Sequence, residues 1–233
     1  MNDRNPIGGR DRYSLLAEAA SPRCATVGDI EDLSELFAAA FLNDPVFDWI
    51  ARKGSSRGPG LRRFFRWLLA VRAIPYGEVW MARGVAAIWL PPGAPATAGG
   101  LVHQIRLFPM FLDLCGFSRL LRGQAIADAM EKHHPRAPHF YLAFIGVEPR
   151  LQGMGLGSAL LEGTLRRVDA TSLPAYLENS NSRNTRLYAR YGFAAGTNIA
   201  PRGAPPVIAM WRPQAGNRNR DSAAGQGSRT LSQ

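Results

Sequence analysis

The sequence predicts an α/β fold: a mixed central sheet of about six to seven strands flanked by helices, with a helical insertion ahead of the strand at 140–147. Three observations point there. Short apolar runs bounded by Gly and Pro alternate along the chain with segments whose apolar residues recur at helical spacing. The run at 140–147 leads through a glycine-rich turn into one such helical segment. Two further strand-like runs, 193–199 and 207–211, end the patterned part of the chain.

In order, residues 1–20 are polar and Ala-rich and read as a flexible N-terminal segment. Residues 23–27 read as a first strand. Asp29 is a candidate N-cap with Asp32 three residues on, and Leu33, Leu36, Phe37 and Phe41 predict a helix over 30–42. Asn43-Asp44-Pro45 stops that helix, and Pro45 opens a short one reaching Ile50. Residues 52–60 form a Gly/Ser/basic loop. Leu61, Phe64, Phe65, Leu68 and Leu69 make the apolar face of a helix over 61–73, which Pro75-Tyr76-Gly77 breaks. Residues 79–81 and 85–90 form a hairpin ended by Pro91-Pro92-Gly93, and a Pro/Gly loop covers 94–100. The insertion, 101–134, is helical in pattern and divided at Gly116; its apolar residues serve as core or as a wall for an acceptor substrate. The strand at 140–147 begins near His139, and the helix after the glycine turn runs to about Ala170. A strand at 175–178, a turn at 179–182 and a short helix at 183–191 follow, the helix ended by Gly192. Residues 21–213 make one domain, and 214–233, rich in Gly, Ser, Asn and Arg, form a disordered tail.

At 46% hydrophobic and 20% charged, the 233 residues can build an ordinary globular core. No apolar run reaches the ~18 residues of a membrane-spanning helix, and no secretory leader is visible, so a cytoplasmic location is expected. Cys24 and Cys115 do not make a disulfide framework. No His/Cys cluster has metal-ligand spacing: His133 and His134 are adjacent, and His103 stands alone. The net charge is +10, with all but Lys53 and Lys132 of the 28 basic residues being Arg. A basic surface suits a polyanionic ligand. No nucleic-acid module accompanies it, and no membrane or specific nucleic-acid partner is expected.

The chemistry concentrates in 140–161. Gly153, Gly155 and Gly157 sit between a strand and a helix, where free N–H groups and the helix dipole favour an anion. A Walker loop fails, because Gly157-Ser158-Ala159 carries no Lys. A dinucleotide loop would be G-x-G-x-x-G where this chain has G-x-G-x-G, although Glu178 could imitate its ribose-binding acid. The third reading, beside the dinucleotide one, is a coenzyme A pyrophosphate loop. Arg150, Gly153 and Gly155 fill an Arg/Gln-x-x-Gly-x-Gly/Ala core, and in this the run 147–157 resembles motif A of the GCN5-related N-acetyltransferases, the GNAT family.

A second stretch, LENSNSRNTRLYARYGF at 177–193, is similar to the same family in its Asn184 and in Tyr188 four residues before Gly192-Phe193. It also resembles the corresponding run of puromycin N-acetyltransferases, which implies a small-molecule amine acceptor. The resemblance implies a GNAT-like sheet and acetyl-coenzyme A as co-substrate, with no metal. It implies that the backbone of Leu151, Gln152, Gly153, Met154, Gly155, Leu156 and Gly157, with Ser158 beside them, holds the pyrophosphate. It places pantetheine against Ile145, Val147 and Asn184, with Arg150 adding charge at the phosphates. Tyr188 becomes the acid for the departing thiolate, a role its neutral O–H suits; Tyr191 lies off the family position. For the base, Glu178 comes first and His139 second, with water as the third carrier. The reaction expected is direct attack by a primary amine in a ternary complex, by a monomer or homodimer. A protein or peptide acceptor, a non-catalytic acyl-coenzyme A sensor and a dinucleotide oxidoreductase are the competing readings.

Overall fold

The computed structural model describes residues 9–94 and 109–215. Its centre is a seven-stranded sheet: β1 (Arg23–Cys24), β2 (Glu78–Ala82), β3 (Val85–Leu90), β4 (Phe140–Val147), β5 (Ala175–Asn179), β6 (Ala194–Asn198) and β7 (Ile208–Arg212). The spatial order is β1-β2-β3-β4-β5-β7-β6, with β4 in the middle. Among the described residues the β4–β5 pair alone is parallel, and the other strand pairs are antiparallel. The expected mixed α/β sheet is therefore present.

One face of the sheet is covered by α1 (Gly9–Ala20) and α6 (Leu156–Ala170) over a core that includes Trp89, Leu142, Leu160 and Phe193. The other face is covered by α2 (Ile30–Ala40), α3 (Pro45–Ile50), α4 (Arg57–Leu68) and α5 (Leu120–His133). Phe37, Phe65 and Leu61 are fully buried there, each worth about 1.5–3 kcal/mol of transfer free energy. The last helix, α7 (Thr185–Arg190), lies between β5 and β6.

Residues 9–20 form α1, in place of the flexible segment expected over 1–20. Leu15 and Ala19 bury against α6, and Arg166 donates to the Ala20 carbonyl at 2.7 Å. Gly163 allows the approach: a Cβ there would stand 2.7 Å from that carbonyl oxygen. With so narrow an apolar stripe, α1 gave little periodicity to read; tertiary packing holds it.

Strand β1 is shorter than expected because Thr26 turns toward Asp29, donating its N–H (2.8 Å) and hydroxyl (2.9 Å) to that carboxylate. Asp29 does occupy the N-cap of α2, but its side chain serves Thr26 and Arg23 and caps no helical N–H. Asp44 caps α3, accepting from the N–H groups of Val46 (2.9 Å) and Phe47 (3.1 Å), with Pro45 behind it at N1. The α4 helix starts at Arg57, earlier than expected, and passes into a π turn at Leu69–Ala73 before Ile74–Tyr76. Pro75 explains the widening, since it has no N–H to continue the α ladder. In the insertion, 109–115 is helical and Gly116, at φ +66°, makes the expected break before α5. The loop at 95–100, His103 and the tail from 216 lie outside the described residues.

Candidate active site

Strand β4 pairs with β3 from Tyr141 to Val147, with one break, but with β5 only where Phe140, Tyr141 and Leu142 face Ala175, Tyr176 and Leu177. One extra residue explains the difference. Ile88 faces Phe144 and Trp89 faces Leu142, so Ala143 has no opposite number on β3 and bulges the strand. Beyond the bulge β4 and β5 part, and residues 143–147 have no strand partner on the β5 side. An unpaired edge inside a sheet is a template for an extended ligand with amide groups of its own. Ile145 and Val147 stand on this stretch, half-buried. The Val147 carbonyl already accepts from Gln152 Nε2 at 3.1 Å. Gly146 lets α2 close on the same strand: a Cβ there would meet Phe37 at 3.0 Å.

The gap opens onto the glycine turn. Gly153 and Gly155 hold φ of +80° and +96°, backbone that residues with a Cβ resist, and α6 starts at Leu156. The N–H groups of Leu151, Gln152 and Met154 are spent within the turn, on the carbonyls of Glu148, Pro149 and Leu151. That corrects the expectation that the whole run 151–157 faces a ligand. Among the described residues, the N–H groups of Gly153, Gly155, Leu156, Gly157 and Ser158 have no partner; the first bond of the helix is Ala159 N–H to Gly155. These five, at the positive end of a 15-residue helix, form an anion cradle. The side chains of Leu151 and Leu156 are core, so they can contribute only backbone. Arg150 is ion-paired with Glu148 at 2.7 Å and lines a groove of about 940 Å³ between α2 and the β2–β3 hairpin. Arg190, which the sequence reading did not include, reaches Ser158 Oγ at 3.4 Å and brings a cation to the turn.

Tyr188 is buried in α7, its ring edge-on to Phe193 at 6.1 Å between centroids. Gly192, at φ +85°, turns the chain so that the Phe193 N–H meets the Tyr188 carbonyl at 3.1 Å. Burial first, and the nearby Asp44 charge second, push the Tyr188 pKa well above the usual value, so its hydroxyl keeps its proton. Asp44 is itself buried and accepts from Ser180 Oγ at 2.5 Å. Asn184 stands exposed at the head of α7 with no capping bond from its side chain. The Tyr191 carbonyl serves the buried Arg212, whose guanidinium forks onto Asp169 at 2.6 and 2.8 Å; that contact is structural.

Glu178 ends up inside a cluster of rings. Its side chain is only 2% exposed. Tyr141 donates to Oε2 at 2.6 Å and Tyr176 to Oε1 at 3.2 Å. His134 Nδ1 lies 3.8 Å from Oε1, its ring edge-on to both tyrosines. Burial, followed by the Glu178 charge, drives the Tyr141 pKa far up, while Arg72 on the π turn opposes it. His139 is in the cluster, but one ring nitrogen is held by backbone and the other is sealed from the gap, which tells against it as the base. Its Nδ1 lies 2.7 Å from the Ala137 carbonyl, so that nitrogen carries the proton, and Nε2 is buried without a partner. Burial lowers its pKa, which keeps the ring neutral. A pocket of about 340 Å³ opens on this end of β4, lined by His134, His139, Tyr141 and Arg136. Sequence reasoning missed Tyr141 and His134. The alternation Tyr176-Glu178 on β5 was visible, but pairing Tyr141 with it required the β4–β5 register.

Residues 103–193 match the model of the acetyltransferase (GNAT) family. A mycothiol acetyltransferase of Streptomyces avermitilis is 31% identical over 133 residues, which is 54% of this chain and 43% of the relative. An uncharacterised N-acetyltransferase of Schizosaccharomyces pombe is 37% identical over 73 residues, 31% of this chain and 29% of the relative. The chain thus spans less than half the length of these curated relatives. Among solved structures it is similar to the histone acetyltransferase HPA2 and related acetyltransferase of Corynebacterium glutamicum, with a TM-score of 0.64 and 25% identity over 84% of this chain and 96% of that one. A Drosophila melanogaster polyamine N-acetyltransferase shares the fold at a TM-score of 0.54 and 18% identity, covering 82% of this chain and 97% of that one.

Proposed function

We propose, from the premise that this chain carries a GNAT-family acetyltransferase domain, that it moves an acetyl group from acetyl-coenzyme A to the primary amine of a small molecule. The observation that carries the reading is the continuity of two features: an unpaired β4 edge at 143–147 and, at its end, five free N–H groups at the head of α6. The first suits an extended amide-bearing arm and the second a pyrophosphate, so the residues present fit coenzyme A. When bound, it supplies the acetyl group as a thioester.

The chain's own contribution is to hold, orient and move protons. Backbone N–H groups of Gly153, Gly155, Leu156, Gly157 and Ser158 hold the pyrophosphate, with Arg190 adding positive charge. Ile145, Val147 and Asn184 flank the arm. Tyr188, protonated at neutral pH, donates its hydroxyl proton to the departing sulfur. Glu178 is sealed behind Tyr141, so the amine's proton passes by way of that hydroxyl: it bonds to the Tyr141 oxygen while the proton already there moves to Glu178 Oε2. Phe144, on the unpaired stretch of β4, packs with the core rings Phe41, Phe47 and Phe64, and a gap bordered by such rings suits an amine with an apolar or aromatic body. The likeness of 177–193 to puromycin N-acetyltransferases supports the same class of acceptor.

Calorimetric titration with acetyl-coenzyme A, with NADH as control, tests the coenzyme. Binding of acetyl-coenzyme A alone is the expected result; preference for NADH overturns it. Release of free thiol in a panel of small amines, alongside a peptide with a free N-terminus, tests the acceptor. Turnover confined to the peptide overturns the small-molecule reading.

A further inference from the structure

A buried carboxylate that takes a proton in every catalytic cycle must also give it up. Glu178 has no direct route to water, since its side chain is 2% exposed. Its closest neighbours, Tyr141 and Tyr176, both donate to it and are themselves half-buried or buried. His134 is different. Its Nδ1 stands 3.8 Å from Glu178 Oε1, its side chain is 21% exposed, and it lines the 340 Å³ pocket at the N-terminal end of β4. Of the residues lining that pocket, Tyr141 and His134 both meet the carboxylate; Tyr141 already donates to it and stands on the amine's side of the proposed path, which leaves His134 for the solvent side. Its position is fixed by the fold: α5 ends at His133, His134 turns back as the C-cap, and its ring lies against Tyr141, Tyr176 and His139.

We infer that His134 carries the proton from Glu178 to solvent through the pocket beside Pro91, Arg136 and Pro138, making this pocket the proton exit of the site and not a part of the coenzyme groove. The step balances simply. The O–H bond on Glu178 breaks, an N–H bond forms at His134 Nδ1, and the proton on Nε2 leaves to water or buffer. The ring then turns about its Cβ–Cγ bond, presenting its bare nitrogen to Glu178 for the next cycle. The charged and titratable groups around the path are Arg72 facing Tyr141, His139 against His134, and Arg136 at the rim. His139 cannot substitute, because its free nitrogen is sealed and its other nitrogen is held by Ala137. At 3.8 Å the His134–Glu178 pair is longer than a direct hydrogen bond, which a small ring rotation or one water would close.

This role rests on the proposed use of Glu178, and the tests separate the two. With acetyl-coenzyme A and 2-phenylethylamine, or whichever panel amine the wild type turns over, His134→Gln is expected to lower kcat about tenfold at unchanged KM for acetyl-coenzyme A. In His134→Ala, added imidazole is expected to restore kcat in proportion to its concentration, while the wild type ignores it. A merely structural role would lower kcat without any response to imidazole. Wild-type kcat in both variants, or a loss that no imidazole repairs, overturns the relay. If Glu178→Gln is fully active, the base assignment fails with it; if Glu178→Gln is slow and the His134 variants are not, only the relay fails. A readout without turnover tests the solvent end: diethyl pyrocarbonate should label His134 in the free protein and spare His139. Labelling of His133 with none at His134 would show that the exit is closed.

Discussion

Ser180 Oγ donates to Asp44 Oδ2 at 2.5 Å, joining the loop after β5 to the start of α3 across 136 positions of sequence. This bond ties the two walls that flank the parted end of β4 and β5. It also sets a buried carboxylate close enough for its charge to act on Tyr188. Burial raises the Asp44 pKa; the bonds from Ser180, Phe47 and Val46 oppose the rise without cancelling it. The folded state therefore holds this proton more tightly than the unfolded chain. Stability present at low pH is lost as pH climbs from the ordinary aspartate value through the raised one. Asp44→Asn keeps an oxygen for the Val46 and Phe47 N–H groups and removes the charge. Urea unfolding across that pH range should give a flatter stability curve for the variant. A slope equal to the wild type's would mean that Asp44 carries no such penalty.

Tyr188→Phe removes one hydroxyl from a buried ring, leaving its edge-on contact with Phe193 in place. Folding and acetyl-coenzyme A affinity should be close to unchanged, while kcat falls roughly 100-fold, the usual worth of a positioned general acid. Calorimetry and thiol release, run on the same preparation, separate the two effects. Full activity would take Tyr188 out of the mechanism.

The two thiols should differ sharply. Cys115 is buried under α5, and burial pushes its pKa to about 11; Cys24 is exposed on β1. At about pH 8, a disulfide reagent should therefore titrate Cys24 in the native protein and reach Cys115 only on unfolding. Rapid reaction of both would place Cys115 in a looser region than the helices around it imply. Any thiol-release assay also needs Cys24 blocked first.

The elements with strong local signals were legible: the hairpin around Arg83-Gly84, the glycine turn and the break at Gly116 each carry chemistry that only a few backbone shapes satisfy. What was not legible depends on contacts between distant segments. Nothing in 9–20 announces α1, because the helix is secured by Gly163 and Arg166 of α6. Nothing near Asp44 announces Ser180. Of the proposed site residues, Gly153 and Gly155 could be named from their own neighbourhood, while Tyr188 and Glu178 were named through the resemblance to the GNAT family. Tyr141 and His134 acquire meaning only once β4 and β5 are in register and α5 has turned back over them.

Gly155 offers the sharpest separation of stability from binding. It is the N-cap of α6, at φ +96°, with its own N–H among the free donors. Any side chain there meets strained backbone, and a Cβ would sit 3.4 Å from Leu16. Asn and Asp share size and both tolerate left-handed backbone better than other residues, so the pair Gly155→Asn and Gly155→Asp isolates the effect of charge. For the helix alone, Asp should be the better of the two, because a negative charge at an N-terminus is favourable by about 0.3–1 kcal/mol. For a polyanion bound at the same N–H groups it should be the worse. Thermal unfolding should therefore rank Gly155→Asp at or above Gly155→Asn, while calorimetry ranks its acetyl-coenzyme A affinity at least about tenfold below. Equal affinities in the two variants would mean that the turn does not hold the pyrophosphate, whatever else fills the gap between β4 and β5.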